Sequence, residues 1–309
     1  MTTTTSTQLF VGLGPLDREL VDPFLAEHQT LVLDPTEEQL AVAEAAIVRA
    51  AFTVDAAMLD RMPALKVLAR TGVGTDLVDV AEARRRGIPV VITPGSNTVS
   101  VAEGVFAHLL SLVKRLPTLS GLVRGGRWAE RGQVTVGDLE GATLGIVGFG
   151  RIGRKVAQIA EAFDLNVRAY DPFADIPQAY HCAGVDEVLA ASDFVTLHTP
   201  LTAENHHLIN ETRLAAMRPG TILVNCSRGA LIDLDAAHAA LASGQLAGLG
   251  LDVFDPEPPQ HHPVFDHANT VLSPHLMGFT DRAMALTIRA AVEGAVAVLD
   301  GREPAAVAS

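Results

Sequence analysis

Three side chains able to hold an anion or carry a proton each follow an apolar run of this sequence. Arg228 lies in Cys226, Ser227, Arg228, Gly229 after the run 222–225, Glu257 closes the stretch 254–257 after the run 249–253, and His275 follows 271–273. In open parallel sheets, ligands bind outside the carboxyl ends of the strands, so residues placed just after strands are the first to weigh. A histidine gives or takes a proton near neutral pH, a neighbouring carboxylate stabilises its charged form, and an arginine fork grips a carboxylate at two points. Singly, each has a plain structural explanation: a core histidine, a solvated loop acid, a surface cation. At three successive strand ends they imply one shared site.

A second stretch supplies what those three lack. TLGIVGFGRIG at 143–153 reads as a short buried strand followed by Gly148, Gly150 and Gly153 where a helix begins, with Arg151 and Ile152 in its first turn. The first glycine of such a GxGxxG allows a tight turn, the second lets backbone N–H groups close on a pyrophosphate, and the third lets helix and strand pack together. The helix N-terminus adds the positive end that phosphates need. A further apolar strand ends in Asp171, 18 residues beyond Gly153, where a carboxylate accepts from the hydroxyls of an adenosine ribose. Pro172 and Phe173 follow it, with no adjacent arginine, so a 2′-phosphate is disfavoured and NAD is expected over NADP. Beside a nicotinamide, Arg228, Glu257 and His275 suffice to interconvert a 2-hydroxy acid and a 2-keto acid, because the cofactor carries the hydride and the protein carries the proton. Asp252, at the end of its strand, is expected to hold the cofactor carboxamide or orient Arg228. His261, His262 and His267 invite a metal reading, but no carboxylate or cysteine stands at ligand spacing, and no metal is expected.

The elements that must position these residues follow from the alternation of apolar runs. Strands are expected over 9–12, 31–34, 46–49, 67–69 and 90–92, with helices over 17–27, 36–45, 55–62 and 80–86. A long helix capped by Asn97 or Thr98 then runs through 101–116. After a loop containing Trp128, βα alternation resumes with the glycine-centred strand, a helix over 154–163, and strands over 167–170, 194–198, 221–225, 248–253 and 270–272. A last helix over 282–299 returns to the first domain. This is an α/β chain of two doubly wound parallel sheets, and 309 residues suffice for two cores. A charge of −13 argues against a nucleic-acid surface, and no apolar run reaches membrane-spanning length. Cys182 and Cys226 are too few for a disulfide framework, and the Thr-rich start, 1–8, lacks a charged and apolar signal sequence, so a cytoplasmic enzyme is expected.

Seven ordered motifs carry a resemblance over nearly the whole chain: RTGVGTDLVD at 70–79, NTVSVAE at 97–103, GIVGFGRIG at 145–153, LHTPLT at 197–202, NCSRGALID at 225–233, LDVFDPEPP at 251–259 and SPH at 273–275. In these the chain resembles the D-2-hydroxyacid dehydrogenases, particularly the phosphoglycerate dehydrogenase type. The resemblance implies a Rossmann NAD-binding domain, 97–282, inserted in a flavodoxin-like substrate domain, 1–96 with 283–309, the two closing over the substrate. It implies that Arg228 binds the 2-hydroxy or 2-keto acid, that His275 is the acid/base with Glu257 as partner, and that Thr199, Asp252 and Cys226 face the cofactor. Val73 and Gly74 would offer N–H groups to the substrate carboxylate, with Asn97 nearby, and a homodimer would form through the NAD-binding domain.

Two departures bear on substrate. Met277 follows His275 closely and is expected to reshape the pocket roof. Arg49 is followed by Ala50, Ala51 and Phe52 where phosphoglycerate enzymes carry small polar residues. Arg49 and Arg70 keep a phosphorylated, phosphonate or dicarboxylate substrate in view, while Phe52 suits a smaller or more apolar acid. The length leads one to expect no C-terminal regulatory domain. A different class, an NAD(H)-sensing corepressor-like protein, uses the same fold. Formate dehydrogenases share it too, but place a glutamine where Glu257 stands.

Overall fold

The computed structural model describes residues 7–49 and 51–308; Ala50, and most of the N-terminal stretch read above, lie outside the described residues. The chain divides into two compact units, 1–97 with 279–309, and 98–278. The return crossing thus falls at 278/279 rather than 282/283.

The first unit alternates β1 (Gln8–Leu13), β2 (Gln29–Leu33), α1 (Glu37–Val42), β3 (Ala45–Val48), α2 (Ala56–Asp60), β4 (Val67–Arg70), α3 (Val80–Arg85) and β5 (Val90–Val91). Its helices start where the chain supplies caps: Thr36 and Gln39 form a capping box on α1, and Asp55 and Asp79 cap α2 and α3. All strand pairs are parallel and their order is β2-β1-β3-β4-β5, the flavodoxin-like order. The segment 17–27 is not the helix its composition suggests. Pro23 lacks an N–H and restricts Asp22 before it, so the chain makes two 3₁₀ turns, Arg18–Leu20 and Asp22–Phe24.

The second unit contains α4 (Thr98–Val113), α5 (Leu116–Arg124), β6 (Thr143–Val147), α6 (Arg151–Ala162), β7 (Asn166–Tyr170), α7 (Val185–Ala191), β8 (Phe194–Leu197), α8 (Glu211–Ala216), β9 (Thr221–Asn225), α9 (Leu234–Ser243), β10 (Leu246–Leu251) and β11 (Thr270–Leu272); α10 (Asp281–Leu299) then belongs to the first unit. The expected helix over 101–116 stops at Val113, because Arg115 takes a left-handed conformation (φ 52°) and Pro117 opens α5. The sheet runs β11-β10-β9-β8-β6-β7, all parallel. Beyond β7, His181 makes a single parallel bridge to Ala169, so the third strand of a dinucleotide-binding sheet is reduced here to one residue. Apolar clusters cover both faces, one built on Val105, Leu109, Ile146 and Val156, the other on Leu189, Leu197, Leu223 and Leu249, as a buried parallel sheet requires. No described helix is long and apolar enough to cross a membrane.

Candidate active site

Register places the site. Val147 pairs with Tyr170 and Leu197, Leu197 with Asn225, Asn225 with Leu251, and Leu251 with Leu272. The next residue of each strand therefore stands in one row at the carboxyl edge: Asp171, Gly148, His198, Cys226, Asp252, Ser273. Backbone bonds continue the ladder into it, with Gly148 N–H donating to Tyr170 O (2.8 Å), His198 N–H to Val147 O (2.7 Å) and Ser273 N–H to Leu251 O (2.9 Å).

At one end lies the glycine loop. Gly148 has φ +98°, and a Cβ there would meet the His198 carbonyl at 2.5 Å; a Cβ on Gly153 would overlap the Gly148 carbonyl oxygen. Gly150 differs: nothing lies within 4 Å of where its Cβ would be. Its bareness serves no packing need of the protein and suits close approach of a ligand. Gly150 begins α6 with no side-chain cap, so the first-turn N–H groups around Arg151 and Ile152 have no side-chain acceptor. Asp171 Oδ2 accepts from Phe149 N–H (2.7 Å), while Oδ1 accepts from Phe173 and Ala174 N–H (2.8 and 3.1 Å). The aspartate thus ties its own turn to the glycine loop. Arg154 stacks over Phe149 at 5.0 Å and donates to the Asp175 carbonyl (2.6 Å). The arrangement fits a dinucleotide pyrophosphate and adenosine ribose.

At the other end the loops after β9, β10 and β11 brace one another. Buried Asn225 accepts from Ser227 N–H (3.0 Å) and donates to the Arg228 carbonyl (2.7 Å), Ser227 Oγ donates to the Thr199 carbonyl (2.6 Å), and Arg228 Nη1 donates to the Ser227 carbonyl (2.7 Å). A Cβ on Gly229 would run into the Phe254 backbone, so the arginine loop lies flat on the glutamate loop. Glu257 Oε1 accepts from Phe254 N–H (3.0 Å) and Oε2 faces His275 Nδ1 at 2.8 Å. This pair is partly open to solvent, at 44% and 38% side-chain exposure, and therefore reachable by a ligand. His275 holds φ +55°, a setting that costs a non-glycine residue about 1 kcal/mol or more.

The restraint on that backbone is Asp252, 2% exposed. Its Oδ1 accepts from Ser273 Oγ (2.6 Å) and Leu276 N–H (3.0 Å), and its Oδ2 from Met277 N–H (3.2 Å). Burial, reinforced by the charge of Asp252, pushes the Cys226 thiol far up, so it stays protonated. Burial pushes His198 down to about 3, and that ring is neutral at physiological pH.

In the first unit, Arg49 follows β3 and lines an open groove of about 340 Å³ with Leu16, Asp17, Leu20, Met284 and Ile288. Its guanidinium touches the Met284 sulfur at 3.8 Å, and burial lowers its pKa. The groove lies beyond the ends of β1 and β3, where the strand order reverses and ligands of such sheets bind. Arg70 is buried and donates to the Thr71 carbonyl (2.7 Å), which places it under the backbone leading to Val73 and Gly74 rather than at the surface; Val73 is exposed. Asn97 closes the first segment of the unit. Among the described residues no three potential metal ligands gather. His261 and His262 do have carboxylate neighbours, Asp266 at 3.0 Å and Asp235 at 3.1 Å, each a separate pair.

Residues 106–277, more than half of the chain, match the family described as D-isomer specific 2-hydroxyacid dehydrogenase, NAD binding domain. The chain belongs to that family. Among its relatives this dehydrogenase-family chain is 38% identical over 276 residues to a D-3-phosphoglycerate dehydrogenase of Bacillus subtilis, covering 88% of this chain and 52% of that one. It spans about half the length of that relative. It is 38% identical over 264 residues to a glyoxylate reductase of Thermococcus litoralis, covering 81% and 79%. Its structure is similar to that of a D-lactate dehydrogenase from Aquifex aeolicus complexed with NAD and lactic acid (TM-score 0.84, 29% identity, 95% and 96% covered).

Reasoning from strand ends reaches Arg228, Asp252, Glu257 and His275 but overlooks their supports. Ser273 is visible as the first residue of SPH. His108 is a lone polar residue among the apolar positions of α4, a signal that reads equally as a core histidine. The Met277 side chain, expected at a pocket roof, packs against α4 at Gly104.

Proposed function

We propose that this chain is an NAD-dependent dehydrogenase that interconverts a D-2-hydroxy acid and the corresponding 2-keto acid. The observation that carries the reading is the 2.8 Å approach of His275 Nδ1 to Glu257 Oε2, a proton carrier held against an anion at the carboxyl edge of the NAD-binding domain. NAD, when bound, accepts or supplies the hydride. The protein's part is the rest. Arg228 fixes the substrate carboxylate and polarises the C2 carbonyl. With Nδ1 turned to Glu257, His275 Nε2 faces the substrate; as imidazolium it donates its proton to the carbonyl oxygen in reduction, and as imidazole it removes the hydroxyl proton in oxidation. Glu257 stabilises the charged ring. Each reduction thus consumes one hydride and one proton, and each oxidation returns both. Asp171, beside the bare Gly150, supports NAD over NADP; Cys226 and Asp252 belong to the row the cofactor would follow, and Thr199 comes directly after its member His198.

Val73, Gly74 and Asn97 are assigned to the substrate carboxylate, Arg70 to the support of that backbone, and Arg49 to an anion on the substrate tail. The names of the relatives, a phosphoglycerate dehydrogenase and a glyoxylate reductase, bracket the substrate. Leu116, Val123, Trp128 and Val136 are exposed within one segment of the second unit, which supports a homodimer formed there. The cytoplasm is the compartment assigned. The test is to follow the reduced-nicotinamide absorbance with glyoxylate, hydroxypyruvate, 3-phosphohydroxypyruvate and phosphonopyruvate. Turnover that vanishes in His275→Ala is expected. Tight NADH binding without turnover of any acid would refute the enzyme and favour a nucleotide sensor.

A further inference from the structure

Helix α4 carries two residues, one turn apart, that reach the segment bearing His275. A Cβ on Gly104 would stand 2.5 Å from the Met277 Cβ and 2.9 Å from its sulfur, so Gly104 is a notch that this side chain fills. Four residues on, His108 is buried and places Nε2 2.9 Å from Ser273 Oγ. Gly250 lets the helix come this near, since a Cβ there would meet the His108 Cβ at 2.9 Å.

The direction of each bond follows from what each group can donate. Asp252 only accepts, so the Ser273 hydroxyl hydrogen is committed to it across 2.6 Å. The serine oxygen must then accept, and His108 must be the tautomer protonated on Nε2. Burial keeps that ring neutral, lowering its pKa by more than the charge of Asp252 and the Val271 backbone raise it, and its Nδ1 is buried with no hydrogen-bond partner among the described residues. Asp252 in turn holds the N–H groups of Leu276 and Met277. His275 is therefore tied down on both sides, at 273 and at 276–277, in a left-handed conformation that it would otherwise leave.

We propose that His108 is a positioning residue for His275: it is the fixed end of a relay, His108 to Ser273 to Asp252 to the backbone of 276 and 277, that sets the imidazole facing the substrate. His108 itself meets neither substrate nor cofactor. The catalytic consequence rests on the reading that His275 carries the proton, whereas the anchoring of the segment does not.

The test compares His108→Leu, which keeps bulk and loses the donor, with His108→Gln, whose amide N–H can take the place of Nε2. In His108→Leu, kcat for glyoxylate reduction falls about three- to tenfold, the loss of roughly one hydrogen bond, with KM for glyoxylate and NADH within about twofold. His108→Gln recovers most of the loss. In a Ser273→Ala background, His108→Leu adds less than about twofold, because both act through one chain. Hydrogen exchange across 274–279 quickens about three- to tenfold in His108→Leu and returns towards the wild-type rate in His108→Gln. If the leucine variant does not fold, Ser273→Ala must show the same change. Unchanged exchange, or equal damage from leucine and glutamine, overturns the relay. If the wild-type protein turns over no 2-keto acid while exchange responds as described, the relay stands and the dehydrogenase reading falls.

Discussion

Acid should undermine this fold at His198. The ring follows β8, its Nε2 lies 3.1 Å from Thr196 Oγ1, and its Nδ1 is buried with no hydrogen-bond partner among the described residues. Burial depresses the folded-state pKa to about 3 from 6.5. As pH falls below about 6.5, the unfolded chain takes up this proton and the folded chain does not, so stability present above that pH is progressively lost down to about 3. Linkage between those two values gives a loss of about 2 kcal/mol between roughly pH 7.5 and pH 5. For a domain of this size that is a fall of roughly 4–8 °C in melting temperature. His198→Gln keeps an amide near Thr196 and removes the titration. Thermal melts of both proteins at the two pH values should show the wild type losing more, by about that margin, with the other histidines cancelling in the comparison. Equal losses in the two proteins would refute a ring of His198 that stays neutral in the folded chain.

The glycine loop separates stability from binding. Gly153→Ala, which drives a methyl into the Gly148 carbonyl, should cost about 2–4 kcal/mol in thermal or urea unfolding. Gly150→Ala meets open space and should melt within about 1 °C of wild type, yet weaken NADH binding about tenfold or more by fluorescence titration, since the methyl stands where the pyrophosphate approaches. Arg228→Lys should lower kcat/KM for every 2-keto acid about a hundredfold, roughly 3 kcal/mol, because a point charge does not reproduce the fork; near-normal activity would place the substrate elsewhere. Arg49→Met should lower kcat/KM for 3-phosphohydroxypyruvate at least about tenfold more than for glyoxylate, and equal effects on the two would remove Arg49 from the substrate tail.

Most of the sheet architecture was legible because parallel strands buried on both faces leave unbroken apolar runs, and runs such as 194–197 and 221–225 are bounded by polar residues at their carboxyl ends. The failures are local. Segment 17–27 has helical composition, but Pro23 breaks it, and the end of α4 is set by the left-handed Arg115, which no periodicity announces. The catalytic candidates could be named because each follows a strand, whereas their supports could not. The bond from His108 to Ser273 spans 165 positions, and the bond from Asp252 to the Met277 N–H uses a backbone group that every sequence possesses. That Arg70 is buried was equally hidden, since its neighbours in sequence give no sign of the layer covering it.

Register adds a constraint on the cofactor that the glycine spacing alone does not. Asp171, Gly148, His198, Cys226 and Asp252 are level across β7, β6, β8, β9 and β10. Neighbouring strands lie about 4.8 Å apart, so Asp171 and Asp252 stand roughly 19 Å from each other, four strands along one edge. A slip of one residue in any strand would turn its side chains to the opposite face and break the row. A mononucleotide seated on Gly150 and Asp171 leaves the far end of the row, with Arg228, Glu257 and His275, untouched. A ligand serving both ends must be extended, carry its phosphates near the middle and present its reactive ring beyond β9. Those are the proportions of a dinucleotide lying across the sheet, and they suit the roles proposed for Arg228, Glu257 and His275 on the loops after β9, β10 and β11 rather than on the glycine loop itself.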